Sequence, residues 1–373
     1  MSVVSQLLTL VMNKEEAQAV KRLRSENSDL LTAKYNTDFN LLRWAQGYGF
    51  DMEEASAQLR RHLKFRKFYD LDHSDQVPEH QILKQYFPIG LVGKTGMDNT
   101  LLVIECAGRI DLVGILKSVQ LSDFLIQRFR LQEKMLAALN ELEAKTGKQA
   151  SVIYILDLDG LKFDTSLLSI VTGRNNDPIR FGNVFPKAIG PLLPERTRNK
   201  VQLCTTNSDW KSQIQKVAKP ENIPAHWGGK LYDSNGDGMC RDRLNIPFDP
   251  IPHELYWEPD ERAPGLKDLT CAVIPAGKAK IVTYVVSSHE PTYIVVNRFC
   301  DRTFGMGIWF NWFPDFDYPG MPTVDYLRIK TLGAGVYKVK YGNEQAWVRS
   351  LTVYYRIQFE KENGELADFK ELE

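Results

Sequence analysis

The chain has no net charge to spend on long-range attraction: its 47 Lys and Arg residues are matched by 47 Asp and Glu. That balance gives no global field for nucleic acid or an anionic surface, so any charged recognition must be local. Cysteine is sparse, odd in number and widely spaced (Cys106, Cys204, Cys240, Cys271, Cys300), with no C-x-x-C pair. This argues against a zinc site and a disulfide framework and predicts a reducing, cytoplasmic setting. No apolar run approaches the roughly 20 residues that cross a bilayer. The apolar stretch Val3 to Met12 lacks a preceding basic flank and runs into Lys14, Glu15 and Glu16, so it does not read as a signal peptide. The chain also lacks an N-x-S/T acceptor, a G-x-S-x-G elbow and any pair of histidines at helical i, i+4 spacing. Without those arrangements the common nucleophilic and metal-assisted chemistries have no support, and no cofactor or metal is expected.

What is present is a packed globular composition, 43% hydrophobic and 11% aromatic over 373 residues, enough for two or three domains. Residues 1–75 read as helical: Leu7, Leu10 and Val11 make a first apolar stripe that Val20 and Leu23 extend. Asp38 is placed to cap a helix carrying Leu41, Leu42 and Ala45, and Asp51 with Glu54 has capping-box spacing. The basic run Arg60, Arg61, Lys64, Arg66 and Lys67 reads as a solvated face. Residues 76–244 alternate strand and helix, with a strand at Leu101 to Glu105, a long helix over Ser122 to Lys145, a strand at Val152 to Leu158, another at Val201 to Thr205 and a helix at Trp210 to Ala218. This is a βαβ pattern. The central stretch S-V-I-Y-I-L-D-L-D-G (Ser151 to Gly160) puts five apolar residues in a row, which predicts a parallel-sheet strand buried on both faces. Residues 245–265 read as a Pro/Gly-rich linker. Residues 266–360 then contain only strand patterns, with the turn spacing of a β-sandwich, and 361–373 form a charged tail expected to fray.

Three motifs look chemical. Gly93-Lys94-Thr95 resembles the end of a phosphate loop, but the earlier glycine it requires falls on Pro88, so a turn is the better reading. Asp233 to Gly238 matches the first half of a calcium loop whose closing Glu would fall on Leu244, and this too favours a polar turn. Asp157 and Asp159, at i and i+2 at a strand end, suit either an acid/base pair or the capping of backbone donors.

The residues D-F-N-L-L-R-W (Asp38 to Trp44), F-D-M-E-E-A (Phe50 to Ala55), L-R-R-H-L-K-F-R-K (Leu59 to Lys67), P-L-L-P-E-R-T (Pro191 to Thr197), N-S-D-W (Asn207 to Trp210) and I-P-A-H-W-G-G (Ile223 to Gly229) resemble the CRAL-TRIO lipid-binding family. F-G-M-G-I (Phe304 to Ile308), G-V-Y-K-V (Gly335 to Val339) and W-V-R-S (Trp347 to Ser350) resemble a GOLD domain. The resemblance covers nearly the whole chain in the right order. It implies an α/β CRAL-TRIO domain with an N-terminal helical part, followed by a GOLD β-sandwich.

The function it implies is non-catalytic: binding one hydrophobic small molecule or phospholipid and carrying it between membranes, with transient, peripheral contact to a membrane surface and no nucleic acid. The alternative is a trafficking adaptor that takes a protein partner through the GOLD domain. By the same resemblance Val152, Tyr154 and Leu156 line the cavity floor, Phe185, Ile189, Leu192 and Leu193 form the apolar face of a lid, and Thr197 and Lys200 match head-group contacts. The family's N-terminal basic pair falls on Tyr48 and Gly49, which favours a neutral ligand. Between Gly173 and Phe185 the chain is shorter than the family pattern, and Val295 stands where many GOLD domains have Trp.

Overall fold

In the computed structural model, residues 12–160 and 209–372 are described, together with Gln202 and Cys204, apart from residues 98, 248, 259–263, 289, 291, 301–303, 310–315, 319–322, 332 and 345. The N-terminal stripe at Leu7, Leu10 and Val11 lies outside the described residues, as does the segment 161–200. By contacts the chain divides into two compact units, each built from separated segments: one from 1–87, 111–150 and 247–373, the other from 88–110 and 151–246.

The first unit begins with helices α1 (Lys14–Glu26), α2 (Asp38–Gly47) and α3 (Met52–Phe68). Their shared core takes Val20 and Leu23 from α1, Leu41, Leu42 and Ala45 from α2, and Ala55, Leu59 and Leu63 from α3, each recurring at three- or four-residue intervals as an amphipathic helix requires. Asn13 and Glu16 form a reciprocal capping box at the start of α1. Asp51 caps α3 by accepting from the Glu54 N–H, as its spacing predicts. At α2, however, the cap is Thr37, whose side chain accepts from the Asn40 N–H. Asp38 is the first helical residue and pairs instead with Arg24.

The basic run on α3 is also not uniformly solvated. Arg66 is 5% exposed and bridges Asp72 at 2.7 Å and Glu133 at 2.6 Å, while its guanidinium lies 4.3 Å from the Tyr35 ring centre. A buried guanidinium is tolerable only with such partners, and Glu133, 67 residues along the chain, is not visible from the run itself.

After a short helix α4 (Gln81–Tyr86), this unit continues with α5 (Leu112–Ser118) and the long α6 (Leu121–Thr146), which ends on Gly147 in the left-handed conformation. Segment 245–265 holds little regular structure, but it is anchored: the Ile251 N–H donates to Asp111 at 3.1 Å and the Trp257 N–H to the Lys117 carbonyl at 2.7 Å.

Beyond it, the sandwich consists of β4 (Thr270–Ile274), β5 (Ala279–Val286), β6 (Thr292–Phe299), β7 (Phe304–Trp309), β8 (Phe316–Tyr318), β9 (Asp325–Lys330), β10 (Gly335–Gly342), β11 (Leu351–Lys361) and β12 (Phe369–Leu372). They form a four-stranded sheet, β4-β11-β6-β9, and a five-stranded sheet, β12-β5-β10-β7-β8. Residues from both sheets fill one core, among them Val353, Tyr355, Ile357 and Phe359 from β11 and Val282, Tyr284 and Val286 from β5. Alternate residues of β11 are buried along its length, the period-two signature of a strand with one face on a core.

The charged tail does not fray. β12 pairs with the edge of β5, and Ala367 is buried in the sandwich core with Phe369 packed against it. The two apolar residues that pack on the core, and a strand edge to receive them, outweigh the charged composition.

The second unit carries a three-stranded sheet of β1 (Ile89–Lys94), β2 (Thr100–Glu105) and β3 (Ser151–Leu156) in the order β1-β2-β3. β2 and β3 run parallel, as the βαβ reading predicts, and β1 is antiparallel to β2. β1 is legible only in retrospect. It contains Gly90 and Gly93, follows Pro88, and includes the Gly93-Lys94 pair read as a turn. Glycine is required at position 90 because a Cβ there would sit 1.9 Å from the Arg243 carbonyl oxygen. Of the strand expected over Val201 to Thr205, only Gln202 and Cys204 are described, and both are exposed and outside any strand.

Candidate functional site

The parallel register pairs Leu101 with Val152, Val103 with Tyr154 and Glu105 with Leu156. Because side chains alternate along a strand and registered residues share a face, these six occupy one side of the sheet. The other side presents Leu102, Ile104 and Cys106 with Ile153 and Ile155 to a core completed by Ile223, Trp227, Met239 and Leu244. The three predicted floor residues therefore come together on one face.

β3 is not buried on both faces among the described residues. Tyr154 is 44% exposed and Leu156 50%. Its apolar run is real, but the described chain covers only the Ile153 and Ile155 side. The predicted lid residues Phe185, Ile189, Leu192 and Leu193 and the head-group residues Thr197 and Lys200 lie outside the described residues, and so does the shortened stretch between Gly173 and Phe185.

One polar feature of this face escapes sequence reading. Glu105, 8% exposed at the end of an apolar strand, accepts a hydrogen bond from the Tyr154 hydroxyl. A carboxylate closing the run T-L-L-V-I-E was a visible signal, but its partner is 49 residues away and is fixed only by the parallel register. The pair holds the phenol ring along the sheet.

At the strand end the carboxylates are committed to structure. Asp157 accepts from the Asp159 N–H at 2.9 Å and from Trp227 Nε1 at 3.0 Å, and Asp159 pairs with Arg109 at 3.2 Å. These bonds favour capping over acid/base chemistry. Gly108 donates its N–H to the Asp157 carbonyl and packs so closely on the Leu158 backbone that a Cβ would lie 2.5 Å from it. Burial, with Asp157 adding to it, pushes the nearby Cys106 thiol up to about 12, so it stays protonated and unreactive at neutral pH.

The half calcium loop is a turn. Asp233 accepts from the Asn235 and Asp237 N–H groups at 2.9 and 2.8 Å, and Asp237 from the Met239 N–H and from Arg241. No cluster of three potential metal ligands occurs among the described residues. Nor is any described helix long and apolar enough to cross a membrane.

A "CRAL-TRIO domain-containing protein F28H7.8" from Caenorhabditis elegans is 29% identical to this chain over 401 aligned positions, covering 95% of the chain and 92% of the worm protein. The chain is thus similar to that protein over nearly its whole length. "Protein ctg-1" from the same organism is 20% identical, over 92% of the chain and 96% of that protein. "Protein real-time" from Aedes aegypti is 26% identical over 58% of the chain and 37% of its own length. A family model described as "F28H7_8_C:-like, C-terminal domain" matches residues 255–368, which include β4 to β11 of the sandwich. The first alignment needs 401 positions for a chain of 373 residues, so the worm relative carries residues with no counterpart here.

Proposed function

We propose that this chain is a CRAL-TRIO relative that binds one hydrophobic lipid on the Val152, Tyr154 and Leu156 face and moves it between membranes without catalysis. The observation that carries the reading is the open apolar face of β3, on a chain that aligns almost end to end with a CRAL-TRIO protein. β3 leaves two large apolar side chains about half-exposed at a cost of about 1 kcal/mol each, and a bound acyl or ring system removes that cost.

A buried chain gains about 0.8 kcal/mol per methylene, so sixteen carbons are held by on the order of 12 kcal/mol. Release into water is therefore negligible, and exchange takes place at a membrane. In this reading Phe185, Ile189, Leu192 and Leu193 cover the ligand, and Thr197 and Lys200 meet its polar end. The sandwich serves as a GOLD domain. The apolar character of Val152, which has no hydrogen-bonding group, favours a neutral ligand over a phospholipid head group.

The alternative reading is an adaptor that takes protein partners through the sandwich and has lost lipid binding. The residues of the worm relative that this chain lacks favour it. Solvent extraction of the purified full chain followed by mass spectrometry separates the two. One lipid per chain, lost in Leu156→Glu, is the expected result. A monodisperse wild-type protein that extracts empty refutes the carrier.

A further inference from the structure

Trp347 is 95% exposed and Val348 88% exposed, in the loop joining β10 to β11. A single exposed apolar residue is ordinary, whereas an adjacent Trp and Val at a loop tip form an apolar apex. The base of this loop is tightly held. The Asn343 amide donates to the Ile274 carbonyl at 3.0 Å and to the Arg349 carbonyl at 2.9 Å. Its backbone N–H donates to the Lys278 carbonyl at 2.8 Å, and its carbonyl accepts from the Gly277 N–H at 3.0 Å and the Ala346 N–H at 3.2 Å. One asparagine thus fastens the β10–β11 loop to the β4–β5 turn, so the apex projects from an ordered base.

Around this base Lys278, Lys340 and Arg349 stand against Glu344, a positive balance among these described residues. Lys278 and Arg349 are both exposed. The described acidic residue of the loop, Glu344, is paired with Lys340 at 2.7 Å. Val273, one residue before the end of β4 and in register with Thr352 of β11, is also 65% exposed.

We propose that this end of the sandwich docks on an anionic membrane, with Trp347 and Val348 entering the interfacial layer and Lys278 and Arg349 meeting lipid phosphates and carboxylates. An indole has an apolar body and one N–H donor, which suits the boundary between head groups and acyl chains. The cations supply the complementary charge that a chain of zero net charge cannot provide globally. A narrow convex apex fits a deformable lipid surface, whereas protein hot spots sit at the centre of flat, water-excluding patches. Two residues and two cations give weak, reversible binding, the strength expected of one signal among two.

The test uses the full chain and sedimentation with phosphatidylcholine vesicles, with and without phosphatidylserine. Trp347→Ala with Val348→Ser weakens binding about tenfold. Lys278→Gln with Arg349→Gln removes the preference for phosphatidylserine and its salt dependence. Brominated acyl chains quench a fluorescence component that is missing from Trp347→Phe. The substitutions are at exposed positions, and an unchanged melting temperature confirms an intact fold. Vesicle binding that is the same in wild type and in Trp347→Ala with Val348→Ser overturns the proposal, and so does wild-type fluorescence that brominated lipid leaves untouched. Extraction of lipid from the same preparations keeps this result separate from the carrier reading.

Discussion

Replacing Asp325 with alanine tests how the first unit is held together. Asp325 is 1% exposed at the start of β9, and its carboxylate accepts from the Ser122 N–H at 2.9 Å, the Ser122 hydroxyl at 2.7 Å and Arg298 at 2.9 and 3.0 Å. Ser122 is the second residue of α6, so a sandwich side chain takes the place of a helix cap. The substitution takes the Asp325 charge away from Arg298, which is fully buried, and removing one partner of a buried ion pair costs about 3–5 kcal/mol. The lost capping bond adds about 1 kcal/mol.

The sum is on the order of 5 kcal/mol, a large part of the stability of a typical domain. For a unit of this size it lowers the melting temperature by roughly 10 °C or more. Urea unfolding followed by circular dichroism measures the change. Arg298→Met combined with Asp325→Leu is the companion variant: with both charges gone, most of the loss is recovered. An Asp325→Ala protein within about 1 kcal/mol of wild type refutes the argument, as does a double variant no better than the single one.

Two further outcomes follow from the packing. His62 lies 5.3 Å from the Tyr35 ring and 5.2 Å from that of Trp44, and burial, with Arg66 adding to it, lowers its pKa to about 4. Between pH 6.5 and 4 the unfolded state therefore binds a proton that the folded state refuses, so stability falls as pH drops through that window, by up to about 3 kcal/mol. In His62→Phe the slope of unfolding free energy against pH flattens there, and an unchanged slope contradicts the assignment. Deleting residues 364–373 removes Ala367 and Phe369 from beside Tyr284 and Phe359 and bares one edge of β5, which keeps its pairing with β10. About 3 kcal/mol of stability is lost, and the bared edge promotes self-association visible by light scattering. A truncated protein as stable as wild type would remove the structural role of β12.

Elements whose signal is local were legible in the sequence. Strands β4 to β7 and β9 to β11 announce themselves by alternation between turn residues, and the long helix by its apolar repeat, seen as Ser122 to Lys145 and found as Leu121–Thr146. Of the candidate site, what was legible is that Val152, Tyr154 and Leu156 share a face, because the strand period is two. Features made by distant partners were not. Arg66 looks solvated until Glu133 and Asp72 are folded onto it, and Glu105 looks like a strand-end charge until the register delivers Tyr154. β12 and β1 escaped because charge dominates the composition of one and glycine that of the other.

The bond from the Ser122 N–H to Asp325 closes a loop of 203 residues, and the second unit joins residues 88–110 to 151–246 around a segment that belongs elsewhere. A ribosome therefore releases α6 long before its capping carboxylate exists, and β2 before the segments that complete its core. Closure over such spans is slow, and the nascent chain holds an uncapped helix and bare apolar strands for seconds at ordinary elongation rates. Chaperone supply and growth temperature during that interval are therefore expected to affect recovery of the folded protein.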